Sequence, residues 1–172
     1  AWEYQEKIFK KIINQKVQNR SKNKKIETKN FLILTEHNHV YTIGKSGDMS
    51  NLLVDKEELI KREIEFFKIN RGGDITYHGP GQIMGYPIFD LDNFFTDINL
   101  YLRKLEEVII NTLKSYNLTG FTIKGETGVW VKDKDGLSKK ICAFGIRASR
   151  WVTMHGLCLN VDPDLSFFNH II

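Results

Sequence analysis

The 172 residues, 41% hydrophobic, 12% aromatic and 27% charged, have the composition of one globular domain long enough to bury an enzymatic core, which excludes disordered, collagen-like and disulfide-scaffold classes. No apolar run approaches the ~20 residues that span a bilayer and no charged start leads into an apolar stretch, so a cytoplasmic chain with no membrane partner is expected. The net charge of +4 is uneven, because residues 1–30 carry nine Lys/Arg against three Asp/Glu and leave about −2 for the rest.

That basic arm fits nucleic acid, an anionic membrane or an acidic protein, and equally the solvated face of a helix followed by a Lys-rich loop. No aromatic residue interleaves with the basic run at 20–29, which argues against nucleic acid. Ile8, Phe9, Ile12, Ile13 and Val17 recur at three- and four-residue spacings and predict the first helix. The chain opens inside that pattern without Met and closes on Ile171 and Ile172, so it reads as a single catalytic domain truncated at both ends.

Residues 31–35 then predict a buried strand and 40–43 another, ending at Gly44. Charge spacing predicts a helix at 55–63, and alternation a strand at 65–70. Gly and Pro dominate 72–87, which reads as a backbone-shaped site and not as a core element. The longest helix is expected at 97–117, with Ile98, Tyr101, Leu102, Leu105, Val108, Ile109 and Leu113 on one stripe. Strands are expected at 121–124, 128–132, 140–149 and 152–161, with a hairpin turn at 133–136. Helices and strands do not alternate strictly, so the pattern favours a mixed, largely antiparallel sheet flanked by helices, an α/β (α+β) class.

Chemistry concentrates in Arg71, Gly72, Gly73, Asp74, Ile75, Thr76, Tyr77, His78, Gly79, Pro80, Gly81 and Gln82, where paired glycines allow close backbone approach beside a cation, an aromatic wall and a titratable ring. The same segment also fits a glycine-rich turn with a satisfied histidine. It is not a phosphate loop, since the spaced glycines ending in Gly-Lys-Ser/Thr are missing. Lys140 and Cys142 fall on one face of a regular strand, an arrangement that lowers a thiol pKa, although a strand-start lysine is also commonly solvated. Cys158 alternates with Leu157 and Leu159 and reads as a small buried thiol. Both cysteines are expected reduced. His37 and His39 sit two apart, but no cluster at metal spacing completes a site and no serine elbow is present.

Taken in order, Glu36-His37 with 40–44, the run from Arg71 to Gln82 and on to Tyr86-Pro87, Lys140-Ile141 with Ala143 and Gly145, and His155-Gly156-Leu157 with Leu159-Asn160 resemble the lipoyl(octanoyl) transferase family. Trp2 and residues 4–6 fit that family's first helix. The resemblance implies a lipoate/biotin protein ligase-like fold and a ping-pong transfer of octanoate. The donor would be octanoyl-acyl carrier protein, and the acceptor a lysine of apo lipoyl domains of 2-oxoacid dehydrogenase complexes and glycine cleavage H protein. It implies no cofactor, neither ATP nor metal, because the acyl group arrives as a phosphopantetheine thioester. It also implies that the segment from Arg71 to His78 lines the acyl site, that Ala143, Phe144 and Gly145 with His155, Gly156 and Leu157 complete it, and that Lys140 tunes a cysteine nucleophile. In that family the acylated cysteine stands in a Pro-Cys-Gly segment, which falls just past Ile172, while Cys142 and Cys158 occupy positions of small residues. Three alternatives stay open: Cys142 as a substitute nucleophile, an ATP-dependent lipoate-protein ligase, and a non-catalytic carrier-binding module.

Overall fold

Apolar residues at helical spacing need a surface to bury against, and their partners fix how the elements assemble. The computed structural model describes residues 1–23 and 26–172; Lys24 and Lys25 of the basic run lie outside the described residues. Helix α1 (Trp2–Ser21) lays Ile8, Phe9 and Ile12 on Ile88, Val152 and Met154, and the Arg147 guanidinium covers the Phe9 ring at 5.1 Å. Strands β1 (Phe31–Thr35) and β2 (Val40–Ile43) follow, then a short α2 (Lys56–Lys61) capped by the Asp55 side chain, which accepts from Glu58 N. Next come β3 (Glu65–Lys68), β4 (Ile75–His78), β5 (Gln82–Ile88), α3 (Ile98–Ser115), β6 (Val129–Lys132), β7 (Ser138–Ser149) and β8 (Val152–Asn160). A 3-10 turn, Leu165–His170, precedes the last residues.

The strands form two sheets where the sequence suggested one. The larger has the order β1-β5-β8-β7-β6 and is antiparallel throughout. The smaller has the order β3-β2-β4, with β2 parallel to β3 and antiparallel to β4. Helix α1 covers one face of the large sheet, and α3 the opposite face through Ile109 and Leu113 against Val129 and Cys142. The small sheet closes its own core around Tyr41 and Tyr77, covered by Leu59 of α2 and by Phe167 and Phe168 of the 3-10 turn. No helix among the described residues is long and apolar enough to cross a membrane.

Three expectations need correction. The 20-residue α1 is longer than the 18-residue α3, because its turns continue past the apolar stripe to Ser21. Residues 72–87 contain β4 and most of β5, with Tyr77, Met84 and Tyr86 in the core, so the glycines punctuate strands and do not replace them. The strand expected at 121–124 reduces to a single bridge between Phe121 and Trp130.

Burial of Asp90 ties the α1 end of the molecule together. Its carboxylate accepts from Lys16 Nζ and, at 2.7 Å, from Thr28 Oγ1, while its own N–H donates to Asn30 Oδ1 at 2.8 Å. Phe9→Ala removes the largest apolar contact between α1 and the sheet and should destabilise the fold by about 3–5 kcal/mol, read as a lowered midpoint in urea unfolding at unchanged slope.

Candidate functional site

A cavity of about 890 Å³ opens between the two sheets, roofed by the start of α1. Arg71 through His78, and Gln82, of the glycine segment line it, together with Lys140, Ala143, Phe144, Gly145, His155, Gly156 and Leu157, while Gly79, Pro80 and Gly81 do not. They come from the loop before β4, from β4 itself, from the start of β5, and from β7 and β8.

The side chains of the glycine segment do different work from what their types suggested. Arg71 is buried and donates from Nη2 to Thr42 O at 2.6 Å and Thr42 Oγ1 at 3.0 Å, from Nε to the same Oγ1 at 3.3 Å, and from Nη1 to Gly72 O at 3.0 Å. No carboxylate among the described residues pairs with it, and burial lowers its pKa. Tyr77 hydrogen-bonds His39 Nδ1 at 2.7 Å and stacks on Phe167 at 4.8 Å, so it fastens the 3-10 turn; burial pushes its phenol up to about 12. Asp74 accepts from Asp48 N, Asn51 Nδ2 and Ile75 N, which holds the loop after β2 against the segment.

His78 is buried with Nδ1 unpartnered, and desolvation, reinforced by Arg71, pushes its pKa down to about 3. His155 adopts a left-handed backbone (φ 58°), donates its N–H to Gln5 Oε1 at 2.9 Å and pairs Nε2 with Asn70 Oδ1 at 2.8 Å. Desolvation lowers it to about 4. The cavity thus holds neutral imidazoles at neutral pH.

The expected pairing of Lys140 with Cys142 does not occur. Val129 faces Cys142 while the next residue, Trp130, faces Lys140, so Ile141 bulges out and the two side chains leave opposite faces of the sheet. Cys142 packs under α3 with Ile109 and Leu113, and burial drives its thiol well above the ordinary range. Lys140 instead enters the cavity, its ammonium 4.9 Å from the Trp130 ring centre. Cys158 lines the cavity beside Met84 and Tyr86, and burial raises its thiol to about 12. Neither thiol is an activated nucleophile.

Several lining groups stand in the sequence motifs but were not assigned to the site. Gln82 Nε2 donates to Asn160 Oδ1 at 2.8 Å, Asn160 Nδ2 donates to Lys140 O at 3.3 Å, and Gln82 Oε1 accepts from Gly79 N at 3.1 Å. This polar row sits at the Lys140 end of the cavity. Met84 and Tyr86 continue the same strand face inward, with Tyr86 Oη bonded to His37 Nε2 at 2.7 Å. The period-two pattern of Gln82, Met84 and Tyr86 was the available signal. Trp2 and Gln5 of α1, which the sequence matched only to a first helix, also line the cavity. Among the described residues, no group of three or more His, Cys, Asp or Glu side chains is placed to hold a metal ion.

Over residues 1–172 the chain matches the family model described as lipoyl protein ligase A/B catalytic domain. It is 57% identical over 172 residues to an octanoyltransferase of Flavobacterium psychrophilum, covering all of this chain and 74% of that protein. It is 53% identical over 175 residues to an octanoyltransferase of Cytophaga hutchinsonii, covering 100% and 72%. Among solved structures, a bi-partite lipoate protein ligase of Thermoplasma acidophilum superposes with a TM-score of 0.70 at 20% identity, over 87% of this chain and 56% of that one. P. falciparum LipL1 in complex with lipoate gives 0.70 at 18% identity, over 97% and 46%. At such identities the structural likeness bears on the fold alone.

Both buried histidines bind a proton more weakly when folded than the ~6.5 of an unfolded chain, so their penalty is absent above pH 6.5 and grows as pH falls toward about 4. Urea-unfolding stability should therefore decline on acidification through this window, and His78→Gln should flatten the slope by up to ~1.4 kcal/mol per pH unit, measured between pH 7 and 4.5.

Proposed function

This chain belongs to the lipoyl protein ligase A/B catalytic domain family and is a transferase of octanoyl groups in protein lipoylation, and on that basis we propose that its cavity seats the acyl group with the carbonyl at the Lys140 end. The observation carrying this reading is the division of the cavity floor: a polar row of Lys140, Asn160 and Gln82 adjoins an apolar row of Ala143, Cys158 and Met84. A thioester head suits the first and an alkyl chain the second.

The donor is octanoyl-acyl carrier protein and the acceptor a lysine of an apo lipoyl domain. A cysteine following Ile172 is taken as nucleophile, because both thiols of this chain are buried and raised. Leu165 and Phe168 of the 3-10 turn line the cavity, and Ile172 N donates to Asn51 O, whose side chain holds Asp74 of the cavity wall, so the chain stays beside the site at residue 172. The neutral amine form of Lys140 takes the thiol proton and, now an ammonium, holds the thiolate beside it; the thiolate attacks the thioester carbonyl, a new C–S bond forms, the old one breaks, and the departing pantetheine sulfur receives the proton back from Lys140. The acceptor amine then attacks the enzyme thioester carbonyl; the C–N bond forms, the C–S bond breaks, and the amine proton passes by way of Lys140 to the departing cysteine sulfur, leaving an amide. Exchange of one thioester for another is nearly balanced and aminolysis runs downhill, so the reaction requires neither ATP nor metal.

In a chain extended to the length of its relatives, Lys140→Ala should abolish acyl-enzyme formation, followed by mass spectrometry, while leaving the fold intact; wild-type rates would remove Lys140 from the chemistry. Octanoyl carrier and an unmodified lipoyl domain should suffice for transfer, and a strict ATP requirement would favour the ligase reading. The 172-residue chain incubated with octanoyl carrier should carry no acyl adduct. An adduct lost in Cys142→Ser would overturn the placement of the nucleophile.

A further inference from the structure

The cavity floor is built of three cross-strand rows on the α1-side face of the large sheet. Along β8 these rows are marked by Asn160, Cys158 and Gly156, each step two residues or about 7 Å. Cys158 pairs laterally with Ala143 on one side and Met84 on the other, and Gly156 pairs with Gly145. The third row is roofed. A Cβ on Gly145 would stand 3.0 Å from Arg71 Cδ, so the arginine stem lies directly on the glycine, and Gly72 N donates to Ile146 O at 2.9 Å, carrying the loop across the sheet at this point. Beyond it, Ile88 and Met154 are packed under Phe9 of α1 and do not line the cavity. The floor is therefore a trough, open and polar at Lys140 and closed at Gly145.

The dimensions match a medium acyl chain. An extended chain advances about 3.4 Å per three bonds, so the seven C–C bonds of an octanoyl group span about 8 Å. With its carbonyl at the first row, its last carbon lies just past the second row and about 6 Å short of the third, a gap that the contact distance of about 4 Å between the terminal methyl and the Arg71 stem largely fills. We infer that this trough is the acyl ruler of the enzyme: Ala143, Cys158 and Met84 flank the middle carbons, and the Arg71 stem over Gly145, together with Tyr86, stops the terminal one. The inference rests on the proposed seating of the carbonyl at Lys140. The small side chains of Ala143 and Cys158 in the second row leave the passage, and the length limit is set by the wall behind it. Tyr86 is fixed in that wall by its hydrogen bond to His37.

The test is calorimetric binding of S-acyl pantetheine thioesters of four to twelve carbons to this chain. Affinity should rise about fourfold per methylene up to eight carbons and gain nothing beyond. Cys158→Leu obstructs the second row and should move the preference at least two carbons shorter, weakening octanoyl binding about fifteenfold, the worth of two buried methylenes. Ala143→Val obstructs the same row from the neighbouring strand and serves if the leucine variant fails to fold, as judged by its melting transition. Tyr86→Val opens the end wall and should move the preference longer. Variants whose length profile stays parallel to wild type would overturn the ruler while leaving the acyl-cavity reading intact. A wild-type chain whose affinity does not depend on acyl length would overturn both.

Discussion

The buried guanidinium of Arg71 is the tie on which the site depends. It reaches from the loop before β4 to both acceptors of Thr42 in the small sheet, and its stem presses on Gly145 of the large one. A cation removed from water without a carboxylate keeps its place only when its donors are satisfied, and here one threonine and one carbonyl accept four hydrogen bonds. Two sheets that share no strand are thereby held at a fixed separation, and the space between them is the cavity. Lysine could not replace it, since a single ammonium cannot span the fork of acceptors.

From that spacing follows the character of the interior. Imidazoles and phenols pointing inward are desolvated, so His78 and His155 stay neutral and Tyr77 keeps its proton. These rings therefore offer the cavity hydrogen bonds and apolar surface without charge, and Lys140 stands at its open end. A site with this division favours a substrate that is polar at one end only, consistent with octanoyl transfer by the relatives of this chain.

Much of this was legible in the residues. The stripe through Tyr101, Leu105, Ile109 and Leu113 located α3 within two residues, and alternation placed Leu157 and Leu159 against Cys158 on β8 correctly, because both patterns record which side faces a core. The glycine segment was recognised as the densest cluster, and its residues from Arg71 to His78, with Gln82, do gather at the cavity. What it hid was its own strands: Tyr77, Met84 and Tyr86 are core residues spaced among glycines, and composition overwhelmed a short period-two signal. The Lys140 and Cys142 relation failed for another reason. A bulge at Ile141 depends on how β6 meets β7, which no local pattern encodes, and one extra residue inverts every facing that precedes it. The division into two sheets was equally non-local, since it turns on β2 pairing with β3 and β4 and not with β1.

The seating of α1 has a consequence for how the chain acquires its shape during synthesis. Ile8, Phe9 and Ile12 find their partners in Ile88, Val152 and Met154, and Gln5 caps the backbone of His155, so much of the surface that orders α1 is made only when β8 is. A helix of this length standing alone is marginal in water. The ribosome must therefore deliver the chain through β8 before α1 can dock fully, and long-range closure of this kind makes for slow folding with apolar surface exposed in the interval. During that wait the lysines along the outer face of α1, Lys7, Lys10 and Lys11, give the unfinished chain a strongly hydrated, mutually repelling end.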